Sequence, residues 1–217
     1  MSYDCPKMTS CHPRSISEMS DSSHSQSASA KPKNTRQAIV LATKAILQSD
    51  GFTRVSVSSI TQRAQVTRSL FYHYFADKES AANAALDSII DDMLVRVKAW
   101  DEQREVGNIA KALEDFVQLA KSIIVESGPF GQHIVQSGNA KLYIDFIDRV
   151  TERVTDYLCN TTVQDFAELH NIPIAYVRET FHMLIPGLIA VLRLNPTIDD
   201  VVLKQITAQT LHLERYL

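Results

Sequence analysis

The 217 residues are 45% hydrophobic and 22% charged, with a formal net charge of −3, an ordinary balance for a globular chain. No apolar run approaches the roughly 18 to 20 uncharged residues of a membrane span, and the polar, Ser-rich start lacks the apolar stretch of a secretory signal, so a cytoplasmic protein is expected. Cys5, Cys11 and Cys159 are too scattered for a disulfide framework; Cys5, Cys11 and His12 lack the fourth ligand and ordered scaffold of a zinc site, so neither metal nor cofactor is expected.

Residues 1–33 are rich in Ser and show no hydrophobic period. Such a segment cannot bury enough apolar surface to offset its ordering entropy, and it reads as a disordered tail. Asn34, with Gln37 three residues on, predicts the N-cap of a first helix. Ile39, Ala42, Ile46 and Leu47 recur at helical spacing, and Gly51 stops them. Ser56 predicts the cap of a short second helix with Val57, Ile60 and Ala64 inside. Val66, Phe71 and Phe75 supply the apolar set of a third, and Asp77 predicts the cap of a fourth.

Longer helices follow. Leu86, Ile89, Ile90, Met93, Val97 and Trp100 form one stripe; Ile109, Leu113, Phe116, Ala120 and Ile123 form the next. Gly128, Pro129 and Gly131 break the chain, as a flexible gate or a simple turn. A helix carrying Tyr143, Phe146, Ile147, Val150, Val154 and Leu158 comes next. Pro173 is expected to start another (Val177, Phe181, Leu184, Leu188, Leu192) that Asn195-Pro196 ends, and a last helix runs from about Ile198 to the C-terminus. No strand pattern is evident, so the expected fold class is all-α.

Charge is distributed unevenly. Residues 31–80 hold Lys31, Lys33, Arg36, Lys44, Arg54, Arg63, Arg68 and Lys78 against Asp50, Asp77 and Glu79, about +5, while the remainder is acidic. A basic segment on an acidic body points to one part meeting a polyanion. Within it, residues 56–75 fit a helix-turn-helix: Val57, Ile60, Ala64, Val66 and Phe71 lock two short helices together. Thr67, Arg68, Ser69, Leu70 and His73 then fall at or near the open face, where a groove-reading helix wants short hydrogen-bonding side chains and an Arg.

Gly51-Phe52, Ser56-Val57, Ile60, Ala64, Val66, Tyr72-His73-Tyr74-Phe75 and Lys78-Glu79 resemble the N-terminal signature of TetR-family regulators, over about residues 35 to 80. Three positions depart from that pattern. Gln65 stands where a turn Gly is usual, and a left-handed backbone there costs a non-glycine residue roughly 1 kcal/mol. Thr61 replaces a customary Ala and Ser69 a frequent Gly. The resemblance implies phosphate contacts from Ser56, Tyr72, Tyr74 and Lys78, and base contacts from Arg68, Ser69, Leu70 and Ser58.

It further implies a three-helix DNA-binding domain at 34–79 and a larger helical effector-binding and dimerisation domain at 80–217. The last two helices would pair with those of a second copy, through Leu184, Leu188, Val191, Leu192, Ile206 and Leu213, with Pro186-Gly187 kinking the first of them. The body would enclose a small-molecule pocket, for which Trp100, Phe116, His133, Tyr143, Phe146, Phe181 and His182 are the candidates. The expected protein is a homodimeric repressor, cytoplasmic and nucleoid-associated when bound, released from a palindromic double-stranded operator by an effector. The alternative is an architectural DNA-associated protein that senses nothing.

Catalysis finds little support. Glu179 and His182 form a single Glu-x-x-His, whereas a di-iron bundle needs two plus further inward carboxylates. Asp91 and Asp92 are adjacent, so on a helix they point about 100° apart and cannot share a proton. Cys159 has no nucleophile signature around it. No catalytic residue is expected.

Overall fold

The computed structural model describes residues 31–126, 140–170 and 174–217. The described residues are helical, with no strand among them, and no helix is long and apolar enough to cross a membrane. The expected tail therefore lies outside the described residues, except for its last three.

Those three open the first helix, α1 (Lys31–Asp50). The helix starts before the expected Asn34 cap, with Pro32 in the first turn, where its missing N–H costs nothing. Ile39, Val40, Ala42, Ile46 and Leu47 are buried, and the buried Thr43 hydroxyl donates to the Ile39 carbonyl at 2.8 Å. Gly51 ends the helix at φ 74, ψ 177, a conformation open essentially to glycine alone. That turn drives Phe52 and Val55 into the core through a short 3₁₀ segment, Phe52–Arg54.

Two short helices follow, α2 (Val57–Ala64) and α3 (Arg68–Tyr74). Ile60, Phe71 and Phe75 bury their side chains between them and α1, and the Phe71 and Phe75 rings lie 5.8 Å apart. α4 (Lys78–Gln103) is 26 residues long, a rod of about 39 Å. At its start, Asp77 accepts from the Ser80 amide at 2.7 Å while the Ser80 hydroxyl accepts from the Asp77 amide, a closed capping box. Fully buried Ala81, Ala82 and Ala85 face α1 and let the two backbones approach.

The body wraps the far end of this rod. α5 (Ile109–Lys121) is capped by Asn108 and widens into a π-helical turn, Ser122–Glu126. α6 (Ala140–Asn160) packs on α4 through Phe146, Val150 and Val154, flanked by the ion pairs Arg149–Asp87 (2.5 Å) and Arg153–Asp91 (2.6 Å). α7 (Thr162–Leu169) is a short helix that the sequence reading lacked. α8 begins at Val177, four residues past Pro173, and runs to Leu194 with Pro186 inside it. α9 (Asp200–Thr210) stops well before the C-terminus: Leu211 leaves the helix, His212 is left-handed at φ 52, and Glu214–Tyr216 forms a final 3₁₀ turn. Gln118 and Lys121 of α5 hold Asp200 at its start.

Candidate DNA interface and body cavity

The helix-turn-helix is built from local rules. Ser56 accepts from the Ser59 amide and the Ser59 hydroxyl accepts from the Ser56 amide, both at 3.0 Å, so α2 starts with its own cap satisfied. Its end turns at Gln65, left-handed at φ 54, ψ 43, as the turn position required. The Val66 amide donates to the Thr61 carbonyl at 3.0 Å and closes the turn. Thr61, buried, donates its hydroxyl to the Ser58 carbonyl at 3.1 Å, which explains how a polar residue fits there. α3 opens at Thr67, whose hydroxyl accepts from the Leu70 amide at 3.2 Å. Thr67 is exposed, and its side-chain oxygen serves as a cap.

The exposed face of α3 carries Arg68, Ser69, Leu70, Tyr72 and His73. Leu70 is 37% exposed and Tyr72 57% exposed, so neither is core. The Arg68 guanidinium hydrogen-bonds the Ser58 hydroxyl, which brings these two expected base readers together on the outside of the motif. Tyr74 differs: it is half-buried against the core, with the His73 ring edge-on at 4.8 Å. Lys78 sits at the start of α4 with its ammonium 5.0 Å from the Phe52 ring centre and 3.9 Å from Glu79. Ser56 is exposed, its hydroxyl engaged in the cap.

At the other end of α4 the body holds a cavity of about 250 Å³. Trp100, Phe116 and Phe181, three of the expected residues, line it together with Leu113, Thr162 and Phe166. The Trp100 and Phe116 rings lie 5.5 Å apart at 60°. Three other candidates lie elsewhere. Phe146 is fully buried in the α4–α6 contact, Tyr143 packs beneath the Arg193 guanidinium on α8, and His182 lies 3.2 Å from Glu152; none reaches the cavity. His133, with Gly128, Pro129 and Gly131, lies outside the described residues.

Behind the cavity wall sits a polar cluster that sequence reasoning missed. The Asp101 carboxylate accepts from Thr162 Oγ1 at 2.5 Å, Arg104 Nε at 2.8 Å and Tyr157 Oη at 2.9 Å. Burial alone would push this carboxyl up; the bonds from Thr162, Arg104 and Tyr157 outweigh it and hold Asp101 below the usual aspartate value. Arg104, itself buried, also pairs with Asp165 and lies 4.8 Å from the Phe166 ring centre. The end of α4 is thereby pinned to α6 and α7.

The expected dimer residues are placed differently from one another in the single chain. Leu184, Leu188, Leu192 and Leu213 are 0 to 8% exposed in the single chain and belong to its own core; Leu184 and Leu213 line the cavity. Val191 is half-buried, and Ile206 is 41% exposed. The apolar surface that α8 and α9 leave open is instead Met183 (77% exposed), Leu194 (80%), Val201 and Val202, with Gly187 and Ala190 on the same stripe of α8. Among the described residues, no atom beyond its chain neighbours and its own helix backbone lies within 4 Å of where a Gly187 side chain would begin.

The residues weighed for catalysis do not converge. Asp91 pairs with Arg153 on α6 while Asp92 pairs with Lys44 on α1. Burial, abetted by Asp156 and Glu179 against Arg178, pushes the Cys159 thiol up, away from the reactive thiolate.

Residues 39–85 match the family model described as bacterial regulatory proteins, tetR family. No curated protein matches the chain in sequence. Solved structures match its fold. A TetR-family transcriptional regulator from Streptomyces coelicolor aligns over 84% of this chain and 99% of its own, with TM-score 0.59 and 20% identity. The multidrug binding protein EbrR, complexed with imidazole, aligns over 83% and 90%, with TM-score 0.60 and 14% identity. RolR, in complex with resorcinol, aligns over 85% and 91%, with TM-score 0.54 and 19% identity. At these identities the likeness is one of fold. Residues 39–85 thus carry the likeness to the tetR-family model, and the chain as a whole shares the fold of these solved structures.

Proposed function

We propose that the protein is a homodimeric repressor that leaves a palindromic operator when a small molecule enters the body cavity. The observation that carries this reading is the reach of α4: it begins beside the recognition helix, at Asp77 and Lys78, and ends in the cavity wall at Trp100. A ligand that prefers one orientation of that rod alters the spacing of two recognition helices, and a coupling of about 1 to 3 kcal/mol is typical of such linkage.

On DNA, α3 enters the major groove. Arg68, released from Ser58, reads a guanine through O6 and N7; Leu70 meets a thymine methyl; Ser69, Ser58 and His73 lie alongside. Tyr72 and Lys78 take phosphates, as do the α2 amides behind Ser56. Tyr74 contributes only its hydroxyl edge, and Thr67 orients the helix. The unit that does this spans residues 31–79, three residues longer than the sequence boundary, and residues 80–217 form the sensing and pairing unit. The open apolar stripe on α8 and α9, with Ile206 and part of Val191, is the surface through which two copies join, setting recognition helices about 34 to 36 Å apart. EbrR and RolR, fold relatives with small molecules bound, support a ligand in the body. An architectural protein that senses nothing has no use for a cavity there.

The test is a selection of genomic fragments by the full-length protein at about 150 mM salt, where non-specific binding is weak. A shared palindrome is expected. Salt-sensitive retention of fragments with no common sequence would sink the operator reading.

A further inference from the structure

The cavity walls restrict what can occupy them, and the argument rests on the reading of this cavity as the sensing site. Among the described residues no charged side chain lines it, so an ion there would lose its hydration with no such partner in return. Four rings, Trp100, Phe116, Phe166 and Phe181, come from α4, α5, α7 and α8 and surround the space; tilted rings favour a flat guest through edge-to-face contact. A dry apolar cavity of about 150 Å³ accepts benzene. At about 250 Å³, this one accommodates a ring with a short substituent.

Three lining side chains carry polar groups: Thr162, Thr207 and Trp100, whose buried indole N–H has no hydrogen-bond partner among the described residues. A hydroxyl carries one proton and two acceptor lone pairs. Thr162 gives its proton to Asp101 at 2.5 Å, and Thr207 gives its own to the Leu203 carbonyl at 2.8 Å. Both hydroxyls therefore have only acceptor capacity left. The Asp101 carboxylate polarises Thr162 and makes it the stronger acceptor of the two.

We infer that the cavity binds a neutral aromatic molecule of about ten non-hydrogen atoms bearing one hydrogen-bond donor, such as a phenolic hydroxyl, given to Thr162. A ketone, ester or ether of the same size has no proton to give Thr162 and forgoes that bond. A carboxylate is excluded.

Calorimetric titration of the full-length protein at pH 7 with 4-propylphenol, 4-propylanisole, propylbenzene and 4-propylbenzoate tests this. 4-Propylphenol is expected to bind about fivefold tighter than 4-propylanisole, the worth of one neutral hydrogen bond; 4-propylbenzoate is expected not to bind. Thr162→Val should weaken the phenol by a similar factor and leave propylbenzene unchanged, and Thr162→Ser should restore the phenol. The inference is overturned by a carboxylate that binds as tightly as the phenol, by equal affinity for phenol and anisole, by failure of every probe, or by a Thr162→Val that weakens all probes alike. Release of selected DNA is read separately. Phenol binding that leaves the DNA complex intact would end the sensing reading and uphold the ligand class; DNA release by the carboxylate alone would do the reverse.

Discussion

Replacing Gln65 with glycine should make the protein more stable, although it removes a side chain. Gln65 holds φ 54, ψ 43 at the turn between α2 and α3, a conformation that costs a residue with a Cβ about 1 to 2 kcal/mol. Its side chain is exposed, and the bonds at this corner come from backbone: its amide donates to the Gln62 and Thr61 carbonyls. Glycine removes the strain and keeps those bonds, but its unfolded chain is freer by about 0.5 to 1 kcal/mol. The net gain is therefore about 0 to 1.5 kcal/mol, a rise in melting temperature of up to about 6 °C for a chain of this size. Denaturant and thermal unfolding, at one fixed protein concentration, measure it. Gln65→Ala, which strips the side chain but keeps the Cβ, should stay within a few tenths of a kcal/mol of the parent. A Gln65→Gly protein less stable than the parent, or an alanine variant that gains as much as glycine, would refute the backbone argument.

Four further outcomes are expected. Arg68→Ala should cost about 1 to 3 kcal/mol of operator affinity and relax preference at one base pair, whereas Lys78→Ala should weaken all sequences alike and lower the salt slope by about 1, both read by binding titrations against salt. Leu194→Glu, at a position 80% exposed, should yield a folded monomer by sedimentation and circular dichroism, while Leu192→Glu, at a fully buried position, should unfold the chain. Asp101 has its pKa lowered on folding by bonds from Thr162, Arg104 and Tyr157 that outweigh burial, so its contribution is complete above about pH 4 and is lost as pH falls below that. Asp101→Asn should lower the denaturation midpoint at pH 6 and flatten its decline as pH falls below about 4.

The DNA-binding half was legible because its determinants are short-range. Ser56 and Asp77 cap where Ser and Asp cap, Gly51 breaks where only glycine turns, and Gln65 bends at a corner fixed by the helices on either side. The body was less legible for two physical reasons. Helical period identifies an apolar face but not what covers it: Leu184, Leu188 and Leu192 look like pairing residues and are core, while Met183, Ala190 and Leu194 face outward on the same helix. Long-range polar pairing has no local pattern, so nothing in the neighbourhood of Asp101 announced Thr162, 61 positions away. The helix break at Thr161, where α6 gives way to α7, carries no Gly or Pro, and with it went Thr162 and Phe166 as cavity residues. Aromatic type alone could not separate Trp100, Phe116 and Phe181, which line the cavity, from Tyr143 and Phe146, which do not, because a ring fills core and cavity equally well.

Trp100 is the one tryptophan of the chain, and it stands at the end of α4 that lies farthest from the recognition helix, in the cavity wall. Its ultraviolet emission therefore comes from a single place and carries no background from the DNA-binding half. Linkage works in both directions, so whatever a ligand does to operator affinity the operator must do to ligand affinity. An operator fragment added to ligand-free protein should then shift the colour or intensity of that emission, although no base pair comes near the indole.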